Sequence, residues 1–279
     1  MSIRKIKKLY SAKPTLEGAG VHLHRGFGPA EVPQFDPFLL LDDFGSENPA
    51  DYLAGFPWHP HRGIETVTYM IKGRVEHEDS LSNKGVIADG DVQWMTAGSG
   101  IIHQEMPQKY NGESKGFQLW VNLPKAEKMM PPRYRGILSK EIPTVKGKSA
   151  DVKIIAGSYQ GTAGPVTDLV VQSVYLDVAL KAKQTFLYEV PSHYTVFLYV
   201  FEGSIVVGDD EVVPESVVVL TLGGDTVSIN TKDRNARFLL IGGEPLNEPV
   251  AWRGPIVMNE DYELEQAFDE YRNGTFIKG

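Results

Sequence analysis

No cysteine occurs among the 279 residues, so disulfides, thiolate metal ligands and thiol nucleophiles are all excluded. Any metal must take its ligands from histidine or carboxylates. Basic residues are also in short supply: 28 Lys and Arg stand against 36 Asp and Glu, a net charge of −8 that argues against direct nucleic-acid binding. No apolar run approaches a membrane span, and the N-terminal MSIRKIKKLYSAKP interrupts its apolar residues with Lys and Arg, so it lacks the continuous core of a signal peptide. The expected compartment is the cytoplasm, with no membrane partner. The basic group Arg4, Lys5, Lys7 and Lys8 reads as a solvated terminus rather than an import signal. No G-x-S-x-G elbow or Ser/Thr-bearing phosphate loop is present, which sets hydrolase and kinase chemistry aside. Gly223-Gly224-Asp225 and Gly242-Gly243-Glu244 lack the spacing of such loops and read as turns.

What the chain does have is 28 Gly and 18 Pro separating short runs of β-branched and aromatic residues. Such runs are Glu65–Ile71, Gln93–Thr96, Phe117–Leu123, Val152–Gly157, Leu169–Leu176, Thr195–Phe201, Ser204–Val207, Val217–Leu220 and Phe238–Ile241. Helical spacing emerges only near the end, where Leu264, Ala267, Phe268 and Tyr271 predict one amphipathic helix within Glu260–Tyr271. An all-β fold with a short C-terminal α-helix is expected. The strands fall into two groups joined by the charged stretch Pro131–Lys148, which predicts two β-barrel or sandwich domains, residues 1–135 and 136–279. A faint repeat supports the division, for Tyr69–Gly73 and Tyr199–Gly203 both read as a strand running into a glycine turn.

The seven histidines cluster. In His59-Pro60-His61 the imidazoles are two residues apart, so on an extended chain they project to one face, about 7 Å apart along the backbone. His103-Gln104-Glu105 presents an imidazole and a carboxylate in the same way. Two neighbouring strands with such pairs could supply three nitrogens and one oxygen to a metal, leaving two positions open on an octahedral ion. Parity also puts Glu65 on the face of His61, which makes five candidate ligands where a catalytic centre uses about three or four. Small residues and turn formers surround both pairs, and a buried group of imidazoles and a carboxylate without a cation would be costly. Other histidines carry less weight. His22 and His24 form an i, i+2 pair with no third ligand nearby, and His77 reads first as a hydrogen-bonded strand end, second as a partner that orients a ligand. Phe56, Trp58, Trp94 and Trp120 lie close to the ligand pairs in sequence and suit either an apolar pocket or core packing.

The run His59–Val67, the run His77–Ser80 and above all the block Gly90–Pro107 closely resemble the pirin family of the cupin superfamily. The resemblance continues through Asp36–Asp42, Gln118–Leu123 and Gly243–Val250, and so spans nearly the whole chain. It implies two cupin-type β-barrels (double-stranded β-helices) face to face, the N-terminal one holding one Fe2+ per chain, or another divalent transition metal, through His59, His61, His103 and Glu105. Many other cupins take the carboxylate after the HxH pair, here Glu65; the pirin pattern takes Glu105 and leaves Glu65 outside the ligand set. The second half has only His193 and no paired ligands, so a second metal site is not expected there.

The activity implied is oxidative: an iron-dependent quercetin 2,3-dioxygenase that opens a flavonol ring with release of carbon monoxide, Glu105 serving as ligand and as catalytic base for the 3-hydroxyl. A different role is also known in the family, that of an iron-dependent redox sensor binding a protein partner such as a transcription factor or a metabolic enzyme.

Overall fold

Antiparallel pairing sorts the described residues, 2–278 of the computed structural model, into two compact units, each a seven-stranded sheet with a four-stranded sheet of its own. In the first, strands run in the spatial order Lys13–Glu17, Val21–Phe27, Phe38–Ser46, Ser114–Asn122, Ile64–Lys72, Val92–Thr96 and Arg133–Ile137. Its smaller sheet is ordered Phe56–His61, Ile101–Pro107, Val75–Asp79 and Lys84–Ile87. The second unit repeats the plan. Its large sheet runs Ile6–Ser11, Ser216–Leu220, Thr195–Glu202, Ala236–Gly243, Ser173–Leu180, Ala150–Ala156 and Thr144–Lys146; its small one runs Thr185–Glu189, Thr226–Asn230, Ile205–Val207 and Asp210–Val212. The strands ending at the two repeated glycine turns occupy the same place, third from one edge, and Gly73 and Gly203 both have positive φ (115° and 65°).

The units are not cut at residue 135. The N-terminal strand Ile6–Ser11 pairs with Ser216–Leu220, so the stretch up to Ala12 belongs with Lys140–Pro245, as does Gln34–Pro37. The chain from Leu246 onward belongs with the first unit. The physical reason is edge pairing and apolar burial, neither of which follows chain order. Ile6–Ser11 satisfies the backbone of an edge strand, and Leu264 and Ala267 of the C-terminal helix pack with Ala251, Ile256, Met258 and Phe276. That helix, Asp261–Arg272, falls one residue from its expected limits, and the Glu263 carboxylate accepts the backbone N–H of Glu260 to close its first turn. Arg4 is buried, donating to the carbonyl oxygens of Gly224, Tyr194 and Pro191, so it is not part of a solvated basic terminus. The strand expected over Leu169–Leu176 begins only at Ser173.

The interiors differ. In the second unit the inward positions are apolar, with Val152, Ile154, Leu176, Val178, Leu198, Val200, Val218 and Leu240 in one continuous core. In the first unit several inward positions are polar, and around them lies a cavity of about 580 Å³, within the range of small-molecule sites.

Candidate metal centre

Strand register assembles the site. Ile101–Pro107 lies between Phe56–His61 and Val75–Asp79, so one strand presents side chains to two neighbours. His103 stands directly opposite His59 on one side, and Glu105 directly opposite His77 on the other. A register shift between His103 and Glu105 on the His59 side marks a bulge at the site. The sequence pairs thus behave as their i, i+2 spacing predicts: Ile101, His103 and Glu105 point inward and are buried, with Ile102 and Gln104 between them less so.

Ligand atoms of His59, His61 and His103 lie within 4.8 Å of one another, and those of His77, His103 and Glu105 form a second, overlapping group of the same size. His103 belongs to both. The tautomers of two rings are fixed by chemistry rather than by choice. His59 Nδ1 donates to the Pro57 carbonyl at 2.8 Å and His61 Nδ1 to the Pro255 carbonyl at 3.0 Å, since a carbonyl can only accept. Their Nε2 atoms, 3.1 Å apart, therefore both carry lone pairs unless a proton is added. Burial, reinforced by the neighbouring imidazoles, holds His61 and His103 well below the ordinary histidine range, and burial lowers His59 as well, so the added proton is disfavoured. Neither nitrogen of buried His103 has a hydrogen-bond partner among the described residues. Facing lone pairs and an orphaned imidazole cost free energy in a protein interior, on the order of 1–3 kcal/mol for each unmet group; a shared divalent cation would satisfy them. The donor set, three imidazoles and a carboxylate, fits a transition metal.

Glu105 is buried and lines the cavity. Burial pushes its carboxyl up to about 7, with the Thr68 hydroxyl at 3.0 Å pulling in the opposite direction. Thr68 Oγ1 is also 2.6 Å from Gln118 Oε1. One hydroxyl proton cannot serve both neighbours, so when an ionised Glu105 takes it, the Gln118 amide must turn its NH2 toward Thr68.

Other expected residues are distributed as follows. Phe56 and Trp120 line the cavity with His59 and His61, and Trp120 meets His61 edge-on at 5.0 Å. Trp94 is buried, and Trp58 is 47% exposed. His22 points outward between buried Val21 and Leu23. His77 is buried, stacked on Tyr134, takes a hydrogen bond on Nδ1 from Gln93 and donates from Nε2 to Asp79, so both its nitrogens are engaged. Glu65 corrects the parity argument. It lies on the opposite face of its strand from Thr68, where its carboxylate accepts from Thr96 at 2.6 Å beside Arg135 and Arg133. The alternation restarts between His61 and Glu65 because Gly63, at φ 77°, turns the chain from one sheet to the other. A Cβ there would sit 1.9 Å from the Val257 carbonyl oxygen, so only glycine fits.

Thr68, Gln118, Asp42 and Arg25, which also line the cavity, escaped the reading of the sequence. Their one signal was polarity at inward positions of otherwise apolar strands.

Comparison with known proteins adds a lineage. The family model described as Pirin matches residues 20–121, and the Pirin C-terminal cupin domain matches residues 175–277. A pirin-like protein of Caulobacter vibrioides is 45% identical, over 99% of this chain and all of that one. A Pseudomonas aeruginosa protein that carries a provisional quercetin 2,3-dioxygenase name is 43% identical over 98% of each. Among solved structures, a quercetin 2,3-dioxygenase of Acinetobacter baumannii superposes with a TM-score of 0.92 at 34% identity, covering 99% of both chains.

Proposed function

The chain belongs to the pirin family of the cupin superfamily, and from that premise we propose that it is an iron-dependent dioxygenase acting on a flavonol such as quercetin. The observation that carries the reading is that buried His103 is shared by two ligand groups, one with His59 and His61 and one with Glu105 and His77, while His59, His61 and Glu105 line a cavity whose wall is otherwise largely apolar. His59, His61, His103 and Glu105 would hold the metal. Fe2+ bound there would supply the redox chemistry that lets dioxygen react with a closed-shell aromatic.

The protein's own residues would do the rest. Glu105, held by Thr68, would accept the proton of the 3-hydroxyl, a role open to a buried carboxylate within hydrogen-bond reach of the substrate. Pro57 and Pro255 fix the rings of His59 and His61 so that Nε2 faces the site. Trp120, against His61, and Trp252, 5.7 Å from Trp120, present flat apolar surface to a planar ring.

The test is oxygen uptake and carbon monoxide release from quercetin by protein reconstituted anaerobically with iron, alongside Glu105→Gln. Turnover by the wild type, lost in a variant that keeps much of its metal, is the expected result. Metal without turnover on any flavonol would overturn it in favour of an iron-dependent binding protein.

A further inference from the structure

One register of the large sheet of the first unit is polar across five neighbouring strands. Gln93 stands opposite Thr68, Thr68 opposite Gln118, Gln118 opposite Asp42, and Asp42 opposite Arg25. Residues directly opposite share a face of the sheet, and the last four line the cavity. Around Gln118, Asp42 and Arg25 the flanking inward positions include apolar pairs, Leu40 with Trp120 on one side and Leu23 with Phe44 on the other, and all four line the cavity too.

Most of the row is internally satisfied. Arg25 forms two hydrogen bonds of 2.8 Å to the Asp42 carboxylate and a third contact of 2.8 Å to Glu17. Thr68 bridges Gln118 and Glu105. Gln118 is the member with capacity to spare, because one end of its amide meets Thr68 and the other end has no hydrogen-bond partner among the described residues. Acceptors are in excess around the row, with the Asp42 carboxylate within it and Glu17 beside it facing the one guanidinium of Arg25, and Glu105 lies against Thr68.

We infer that this row sets substrate specificity, with Gln118 and the neighbouring Asp42 accepting hydrogen bonds from ring hydroxyls of a planar, multi-ring phenol whose reacting end lies at Glu105. The inference rests on the proposed dioxygenase reading and narrows it. Three observations support this substrate class. Apolar side chains flank the row on both sides along the strands, Leu40 and Trp120 on one and Leu23 and Phe44 on the other, which suits an apolar ring system. Thr68 and Asp42 are two strand intervals apart, about 10 Å, farther than hydroxyls on one benzene ring can span. Carboxylates at Glu17, Asp42 and Glu105 disfavour an anionic ligand, whereas a hydroxyl brings the donor that they lack.

The test measures binding, so that it is independent of turnover. Quenching of tryptophan fluorescence, with Trp120 and Trp252 in the cavity wall as reporters, gives dissociation constants under anaerobic conditions for iron-loaded protein. The two probes are quercetin and 3-hydroxyflavone, which keeps the reacting hydroxyl and lacks the others. The wild type should prefer quercetin by about tenfold or more, the worth of one buried hydrogen bond. Gln118→Leu should erase most of that preference by weakening quercetin about tenfold more than 3-hydroxyflavone, because any change passed to Glu105 through Thr68 affects both probes alike. Equal affinities in the wild type, or an undiminished preference in Gln118→Leu, would overturn the inference and leave the dioxygenase reading standing. If neither flavonol binds the wild type, both fall together.

Discussion

Arg62 Nη2 lies 2.7 Å from Glu270 Oε2, which ties the residue following His61 to the C-terminal helix. The same guanidinium donates from Nε to the Ser99 carbonyl and from Nη2 to the Phe276 carbonyl, and it lies 4.3 Å from the centre of the Phe276 ring. Distant parts of the chain thus brace the turn that follows His61.

Acid stability should report this brace. Burial opposes the charge on Glu270, but hydrogen bonds from Lys278, Arg62 and Gln266 outweigh it and hold the carboxyl down at about 2. A folded value below the unfolded one near 4.5 means that the stabilisation is complete above pH 4.5 and is lost as pH falls toward 2. Glu270→Gln should lower the melting temperature at pH 7 and lose less further stability between pH 4.5 and 2 than the wild type does. Parallel acid-unfolding curves for the two proteins would count against the brace.

Lys128 holds the other side of the same turn. Its buried ammonium donates to the carbonyls of Gly63 and Val257 and to Asn122 Oδ1, at 2.7–3.0 Å. Burial, only partly countered by Glu248 and Glu263, brings its pKa down to about 7 from 10.5. Between those values the unfolded chain binds more protons, so this group makes stability rise with pH from about 7 to 10.5. Lys128→Met should remove that rise and also cost about 1–3 kcal/mol at pH 7 for each acceptor left unmet. Urea unfolding at neutral and alkaline pH separates the two effects; an unchanged slope would show that Lys128 is not the source.

How much of this was legible in the sequence follows from what periodicity can carry. The facing of His59 with His61 and of His103 with Glu105 was readable because i, i+2 spacing on an extended strand fixes a shared face, whereas the preference for Glu105 over Glu65 came from the family resemblance. The C-terminal helix was readable because Leu264, Ala267 and Phe268 repeat at helical spacing. Glu65 misled because parity survives only within one strand, and Gly63 ends one strand before the next begins. Arg25, Asp42 and Gln118 were invisible for a different reason: their relation is register across strands far apart in the chain, which no local pattern encodes. The exchange of chain ends between units was hidden likewise, since Ile6–Ser11 finds its partner more than 200 residues away.

The carboxylate assignment can be tested on metal content alone. Glu65 is committed to Thr96, Arg133 and Arg135, away from the imidazoles. His61→Ala and His103→Ala should therefore lose most bound metal, and Glu65→Gln should lose much less than Glu105→Gln. Elemental analysis of the four purified variants decides the matter. A larger loss from Glu65→Gln would restore Glu65 to the ligand set.

Metal affinity should depend on pH through one proton. Burial favours the neutral form of all three imidazoles, whereas burial raises the Glu105 carboxyl to about 7 in the metal-free protein. Below that value a divalent ion must displace the proton from Glu105, so affinity should fall about tenfold per pH unit; above it the dependence should flatten. Calorimetric titration in two buffers of different ionisation enthalpy would show close to one proton released at about pH 6 and few at about pH 8. Thr68→Val removes the hydrogen bond that pulls Glu105 down, so the break should move to higher pH in that variant. Glu105→Gln should abolish the slope. Proton release that persists in Glu105→Gln would place the titrating group on an imidazole and undo the assignment of Glu105 as the ionising ligand.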